Sequence, residues 1–136
     1  MKHVGLKTAA GAGILFVATV GILTLGAQQA PAVKRTPLLQ QDTQFPDREA
    51  RIVLVELPPG SAEGRHTHPA ELYVYVQEGT ISVEHEGKPT ASLKAGDTFS
   101  VAPGKIHQAI NNSQSTARLT AFFIAEKGKP LTVEAK

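Results

Sequence analysis

At 136 residues the chain has room for one domain of ordinary size and little beyond it. It contains no cysteine, which excludes disulfides, thiolate catalysis and cysteine-held zinc, so any metal must be bound through nitrogen and oxygen. The formal charge of +2 resides in the leader: Lys2 and Lys7 lie there, and from Val33 onward twelve Lys and Arg balance twelve Asp and Glu, which argues against a nucleic-acid partner.

Residues 1–32 read as a targeting segment. MKHVGLK supplies a positive start, and Thr8 to Gly26 is a small, apolar run without a charge, the pattern of a signal peptide or an N-terminal membrane anchor. Ala30-Pro31-Ala32 sets small residues at the spacing a signal peptidase reads. Cleavage is the preferred reading, but the run is long enough to span a bilayer, so an uncleaved anchor stays open. Both place the domain outside the cytoplasm, periplasmic or extracellular, with membrane contact only through the leader. Residues 33–50, VKRTPLLQQDTQFPDREA, carry two prolines and no sustained period. They read as an extended arm, either a linker or a strand added to a partner subunit.

The domain is expected over 51–136. From Arg51 onward, short β-prone runs alternate with turn residues, the punctuation of an all-β barrel or sandwich. RIVLVEL ends at Pro58-Pro59-Gly60, ELYVYVQ at Gly79, TISVEHE at Gly87-Lys88-Pro89, ASLK at Gly96 and TFSVA at Pro103-Gly104; His107 opens a run to Ile110, and Ala117 to Ala125 forms the most apolar strand. In that last strand Leu119, Ala121 and Phe123 share one face and Thr120, Phe122 and Ile124 the other, so both faces want cover. Tyr73 and Tyr75 have the outward parity of their own strand. Beside Phe122 they would suit a sheet-to-sheet contact, and a homodimer is expected.

Chemistry concentrates in two stretches. Strand side chains repeat direction every two residues, so His66 and His68 face the same way, and His107 follows the turn at Pro103-Gly104 far downstream. Three imidazoles suit a divalent ion of Fe, Mn, Ni, Cu or Zn.

Both stretches resemble the paired motifs of the cupin superfamily, jelly-roll barrels built as a double-stranded β-helix with a metal in the barrel mouth. Gly60, His66, His68 and Gly79 fall in register with the first motif; Gly96, Gly104, His107 and Asn111 fall in register with the second, with its proline displaced by one place to Pro103. The resemblance covers Arg51 to Ile124, and the wording HTHPAELYVYVQEG is similar to that of small exported single-domain cupins. It implies metal ligands at His66, His68 and His107, and a glutamate four residues after His68. That place holds Leu72, with Glu71 one residue early. On a regular strand Glu71 faces away from the interior, whereas a bulge after Pro69 would turn it inward, so Glu71 is carried as a fourth metal ligand with both geometries open.

No residue is placed by motif as a general base. A metal-dependent oxygenase or related enzyme acting on a small molecule is one reading; a module that captures a small ligand or metal without turnover is the other. The interior inferred from Leu72, Val74, Val76, Ile81 and Val83 is aliphatic. Asn111 is expected to stabilise its turn, His85 to sit at a rim, and Arg65 to be solvated or to greet an anion at the mouth.

Overall fold

The computed structural model describes residues 29–136, so the expected leader, apart from its last four residues, lies outside the described part. Ten strands form two five-stranded sheets, and no helix occurs among the described residues. The first sheet takes β1 (Lys34–Asp42), β2 (Arg48–Leu57), β9 (Ala117–Glu126), β4 (Ala70–Glu78) and β7 (Thr98–Val101), in that order. The second takes β10 (Val133–Glu134), β3 (His66–Thr67), β8 (His107–Ile110), β5 (Thr80–His85) and β6 (Ala91–Lys94). Every pairing is antiparallel, and consecutive strands repeatedly change sheet, which is the double-stranded β-helix of a jelly roll.

Alternation along the strands sorts the side chains. In β4, Ala70, Leu72, Val74 and Val76 are buried while Glu71, Tyr73, Tyr75 and Gln77 are exposed. β9 contributes Ala117, Leu119, Ala121, Phe123 and Ala125 to the same interior, and β5 adds Ile81 and Val83 from the facing sheet. Full burial of each large aliphatic side chain is worth about 1.5–3 kcal/mol, so this parity fixes the register. On the outer face of β9, Thr120, Phe122 and Ile124 are only half-buried; the closed sandwich leaves that side open.

The arm departs from the sequence reading in one respect. It is extended, but it belongs to the sheet: β1 pairs with β2 of its own chain from Lys34 to Asp42, and β2 starts at Arg48 rather than Arg51. Pro37 has no N–H to give a ladder, which an edge strand tolerates, and the register shifts between Pro37 and Leu39. Leu38 and Phe45 remain exposed, so backbone pairing rather than apolar burial holds much of the arm.

Two glycines set how the sheets connect. Gly79, with φ at +79°, turns the chain from β4 to β5, and a Cβ there would lie 2.9 Å from Ala117 Cα. Gly104, with φ at +75°, closes the turn before His107 and donates its N–H to the His68 carbonyl at 2.9 Å. That bond ties the second histidine stretch to the first.

Candidate metal centre

His66 on β3 stands directly opposite His107 on β8, and His68 follows one residue after β3. All three imidazoles are buried, and one ring nitrogen from each lies within 4.8 Å of the others. Their ring centroids are 4.4 to 5.0 Å apart. The structure thus brings His66, His68 and His107 to one point.

Hydrogen bonding identifies the nitrogens that face that point. His66 Nδ1 meets Gly64 O at 2.7 Å, His68 Nδ1 meets Leu131 O at 2.6 Å, and His107 Nδ1 meets Lys105 O at 3.0 Å. A carbonyl oxygen only accepts, so each Nδ1 carries the proton and, in the neutral ring, each Nε2 presents a lone pair. His66 Nε2 and His68 Nε2 are 3.2 Å apart, and His107 Nε2 is buried without a hydrogen-bond partner. Bare lone pairs gathered in a buried space repel unless a cation lies among them. Two nitrogens held by one ion at about 2.0–2.1 Å, with angles of about 90–110°, lie about 2.8–3.4 Å apart. The donor set fits a divalent metal ion, and backbone carbonyls behind metal-binding imidazoles are the usual means of aiming them.

The electrostatics favour neutral rings. Burial, reinforced by His66, His107 and Arg35, outweighs the Leu131 hydrogen bond and pulls the His68 pKa down from 6.5 to about 4. Burial likewise lowers the His107 pKa, with the charge of His66 acting in the same direction. These rings stay free to ligate at neutral pH.

Of the two geometries open for Glu71, the structure shows the outward one. β4 pairs with β9 in unbroken register from Ala70 to Val76, so no bulge follows Pro69 and Glu71 keeps its outward parity. Its carboxylate accepts from Tyr73 Oη at 2.6 Å, while Leu72, the position at which the motif resemblance implies a carboxylate, lines the cavity. Among the described residues the groups that could hold an ion are therefore His66, His68 and His107.

Two charged residues that the sequence reading did not place in the site line the same cavity: Glu63 and Arg35. Glu63 Oε2 accepts from the Ala109 N–H at 3.1 Å, and Oε1 accepts from Arg35 Nη2 at 3.3 Å. Glu63 had a signal available, since it precedes His66 inside the first motif; Arg35 had none, because its place depends on how β1 pairs. The cavity is about 50 Å³ and is walled chiefly by Val53, Val55, Leu72, Val74, Leu119 and Phe123. At roughly 10–15 Å³ for each water-sized position, that admits a guest of only a few heavy atoms.

Asn111 is fully buried, donating through Nδ2 to Leu57 O and Ser115 O at 2.8 Å each and accepting at Oδ1 from Ser113 N and Oγ. It braces the turn and is saturated. His85 lies opposite His107 across β5 and β8, its Nδ1 donating to Glu86 O, and stands outside the triad. Arg65 is exposed and lines the groove outside the mouth, beside Arg35, Glu63 and Thr132.

A match to the cupin domain family spans residues 53–124. Among solved structures, a protein with a double-stranded β-helix domain from Klebsiella pneumoniae superposes with a TM-score of 0.64 at 20% identity, over 80% of this chain and 89% of that one. DMSP lyase DddQ from Ruegeria pomeroyi gives a TM-score of 0.59 at 21% identity over 63% of this chain, and an oxalate oxidase gives 0.58 at 23% over 63%. The chain spans less than half the length of these two enzymes, 43% and 46%. Likenesses at such identities concern the fold. No curated protein matches the chain.

Proposed function

The chain belongs to the cupin domain family, matched over residues 53–124, and from that premise we propose that it is an exported enzyme using one divalent metal ion on a small molecule. An oxygenase or a related activity is the reaction class this reading favours. The observation that carries it is the opposed aim of the ring nitrogens: three Nδ1 atoms donate to carbonyls while three Nε2 atoms meet in a buried space. A bound ion of iron, manganese, nickel, copper or zinc supplies Lewis acidity or redox capacity there. This chain's own residues do the rest. His66, His68 and His107 hold the ion, the aliphatic wall excludes water, and Glu63, the one carboxylate lining the cavity among the described residues, can take or give a proton.

A non-catalytic module that captures a small ligand or metal is the second reading, favoured by the predominantly aliphatic lining. Elemental analysis of protein purified without chelator tests both, with about one metal per chain expected and His107→Ala losing it. Oxygen uptake by the iron-loaded protein over small thiols, diketones and phenols then separates them. Uptake abolished by His68→Ala supports the enzyme, silence alongside measurable ligand binding supports the module, and a metal-free wild type ends the enzyme and metal-capture readings and leaves small-ligand capture.

The leader over 1–32 supports export, to be tested by fractionating cells that express the full chain. Exposed Tyr73 and Tyr75, beside half-buried Phe122 on the open face of the first sheet, support a homodimer, to be tested by sedimentation.

A further inference from the structure

Arg35 is an unexpected neighbour for a metal pocket. Cross-strand partners in an antiparallel pair share a face, and Arg35 stands opposite Val55, whose side chain points into the barrel. The next residue back obeys the same rule: Lys34 stands opposite outward-facing Glu56 and pairs with it at 3.1 Å. β1 therefore delivers one cationic side chain to the open end of the cavity, lining both it and the groove outside.

The guanidinium is anchored but far from saturated. Its one hydrogen bond among the described residues is the 3.3 Å contact to Glu63, and the side chain is 43% exposed against 12% for Glu63. Glu63 is itself fixed through Ala109, two residues beyond His107, so the anchor moves with the triad. An arginine offers five N–H donors in a planar fork suited to a carboxylate. Across the cavity from that fork lie the three Nε2 atoms, which would hold a second positive centre, and between them the wall is apolar. A carboxylate gains from both positive groups, a neutral guest gains less and a cationic one is repelled, and the enclosed part of the cavity takes only a short chain.

Resting on the metal-centre reading above, we propose that the ligand of this cavity is a short-chain carboxylate, its acid group lying between Arg35 and the triad and its carbon chain against the Val53, Leu72 and Phe123 wall. Arg35 is then a specificity-determining residue supplied by the N-terminal arm.

The test uses the full chain loaded with Co(II), whose visible absorption reports any change near the ion. Metal content is measured first. Propionate is then titrated against its neutral isostere propionamide, with inorganic phosphate as a third arm. Propionate should give a saturable spectral change at least about tenfold tighter than propionamide, 1.4 kcal/mol or more by the usual conversion, and tighter than phosphate. Arg35→Gln should bring propionate to the level of the amide with metal content unchanged; Arg35→Lys, which keeps the charge and loses the fork, should fall between. Equal binding of acid and amide, tighter binding of phosphate, or undiminished propionate binding by Arg35→Gln overturns the proposal and leaves the metal centre standing. A wild type that takes up no Co(II) instead removes the reading on which it rests, and does so before any anion is added.

Discussion

His68 and Leu131, 63 positions apart, are joined by a 2.6 Å hydrogen bond from the imidazole Nδ1 to the main-chain carbonyl. Leu131 lies two residues before the start of β10, which pairs with β3 through Val133 opposite Thr67 and Glu134 opposite His66. The final segment of the chain thus aims a ligand of the first motif. Ending the chain after Gly128 should weaken zinc binding about 10–100-fold, the usual effect of losing a group that orients a metal ligand. The main core lies in β2, β4, β5 and β9 and stays intact, so far-ultraviolet circular dichroism should change little. Competition with a chromophoric chelator measures the affinity, and an unchanged value would refute the role given to this carbonyl.

The pH dependence of the metal-free protein has a definite sign. The His68 pKa is near 4 when folded against an ordinary value of 6.5, so between these limits the unfolded chain binds more protons. The contribution of a neutral His68 is complete above about pH 6.5 and is lost as pH falls toward 4; His107, also lowered, adds in the same direction. Urea midpoints measured across this window should fall with acidification, and His68→Gln should flatten the curve. Parallel curves for the two proteins would contradict the assignment.

Glu71 should prove dispensable for metal. Glu71→Gln is expected to leave zinc affinity within about twofold, since its carboxylate faces solvent and Tyr73. Its effect should appear elsewhere. The hydrogen bond and charge of Glu71 raise the Tyr73 phenol pKa, so the variant should titrate at lower pH, nearer 10, by phenolate absorbance. Loss of metal on this substitution would revive the fourth ligand.

At Leu72 the opposite change is informative. Leu72→Glu puts a carboxylate on the cavity wall, where without metal it must be protonated or costly to bury. The variant should therefore melt lower than wild type when metal-free and recover disproportionately on adding zinc. Equal shifts with zinc in both proteins would mean that the position cannot reach the ion.

Gly79 and Asn111 test the frame rather than the site. Gly79→Ala places a Cβ against Ala117 at a left-handed φ, costing at least about 1–2 kcal/mol for the backbone alone. Asn111→Ala strands the buried carbonyl of Leu57, at about 1–3 kcal/mol, and removes the brace to Ser115. Both should lower the denaturant midpoint by more than any surface substitution on β1, and Asn111→Ala should do so without direct loss of a metal ligand.

What the sequence determined by itself was whatever depends on period. Alternation along ELYVYVQ sent Leu72, Val74 and Val76 inward, and spacing of two put His66 and His68 on one face, because a strand's side-chain direction is set by its own backbone. The motif resemblance extended this to His107. What only the tertiary structure decided was whatever depends on which strand lies beside which. The unbroken β4–β9 register turned Glu71 outward where a bulge would have turned it in. Pairing of β1 with β2 carried Arg35 from an irregular arm to the cavity, and pairing of β10 with β3 brought Leu131 behind His68. Such neighbours are chosen by burial summed over whole sheets and by satisfying backbone donors far apart in the chain, and no local pattern of residues records that choice.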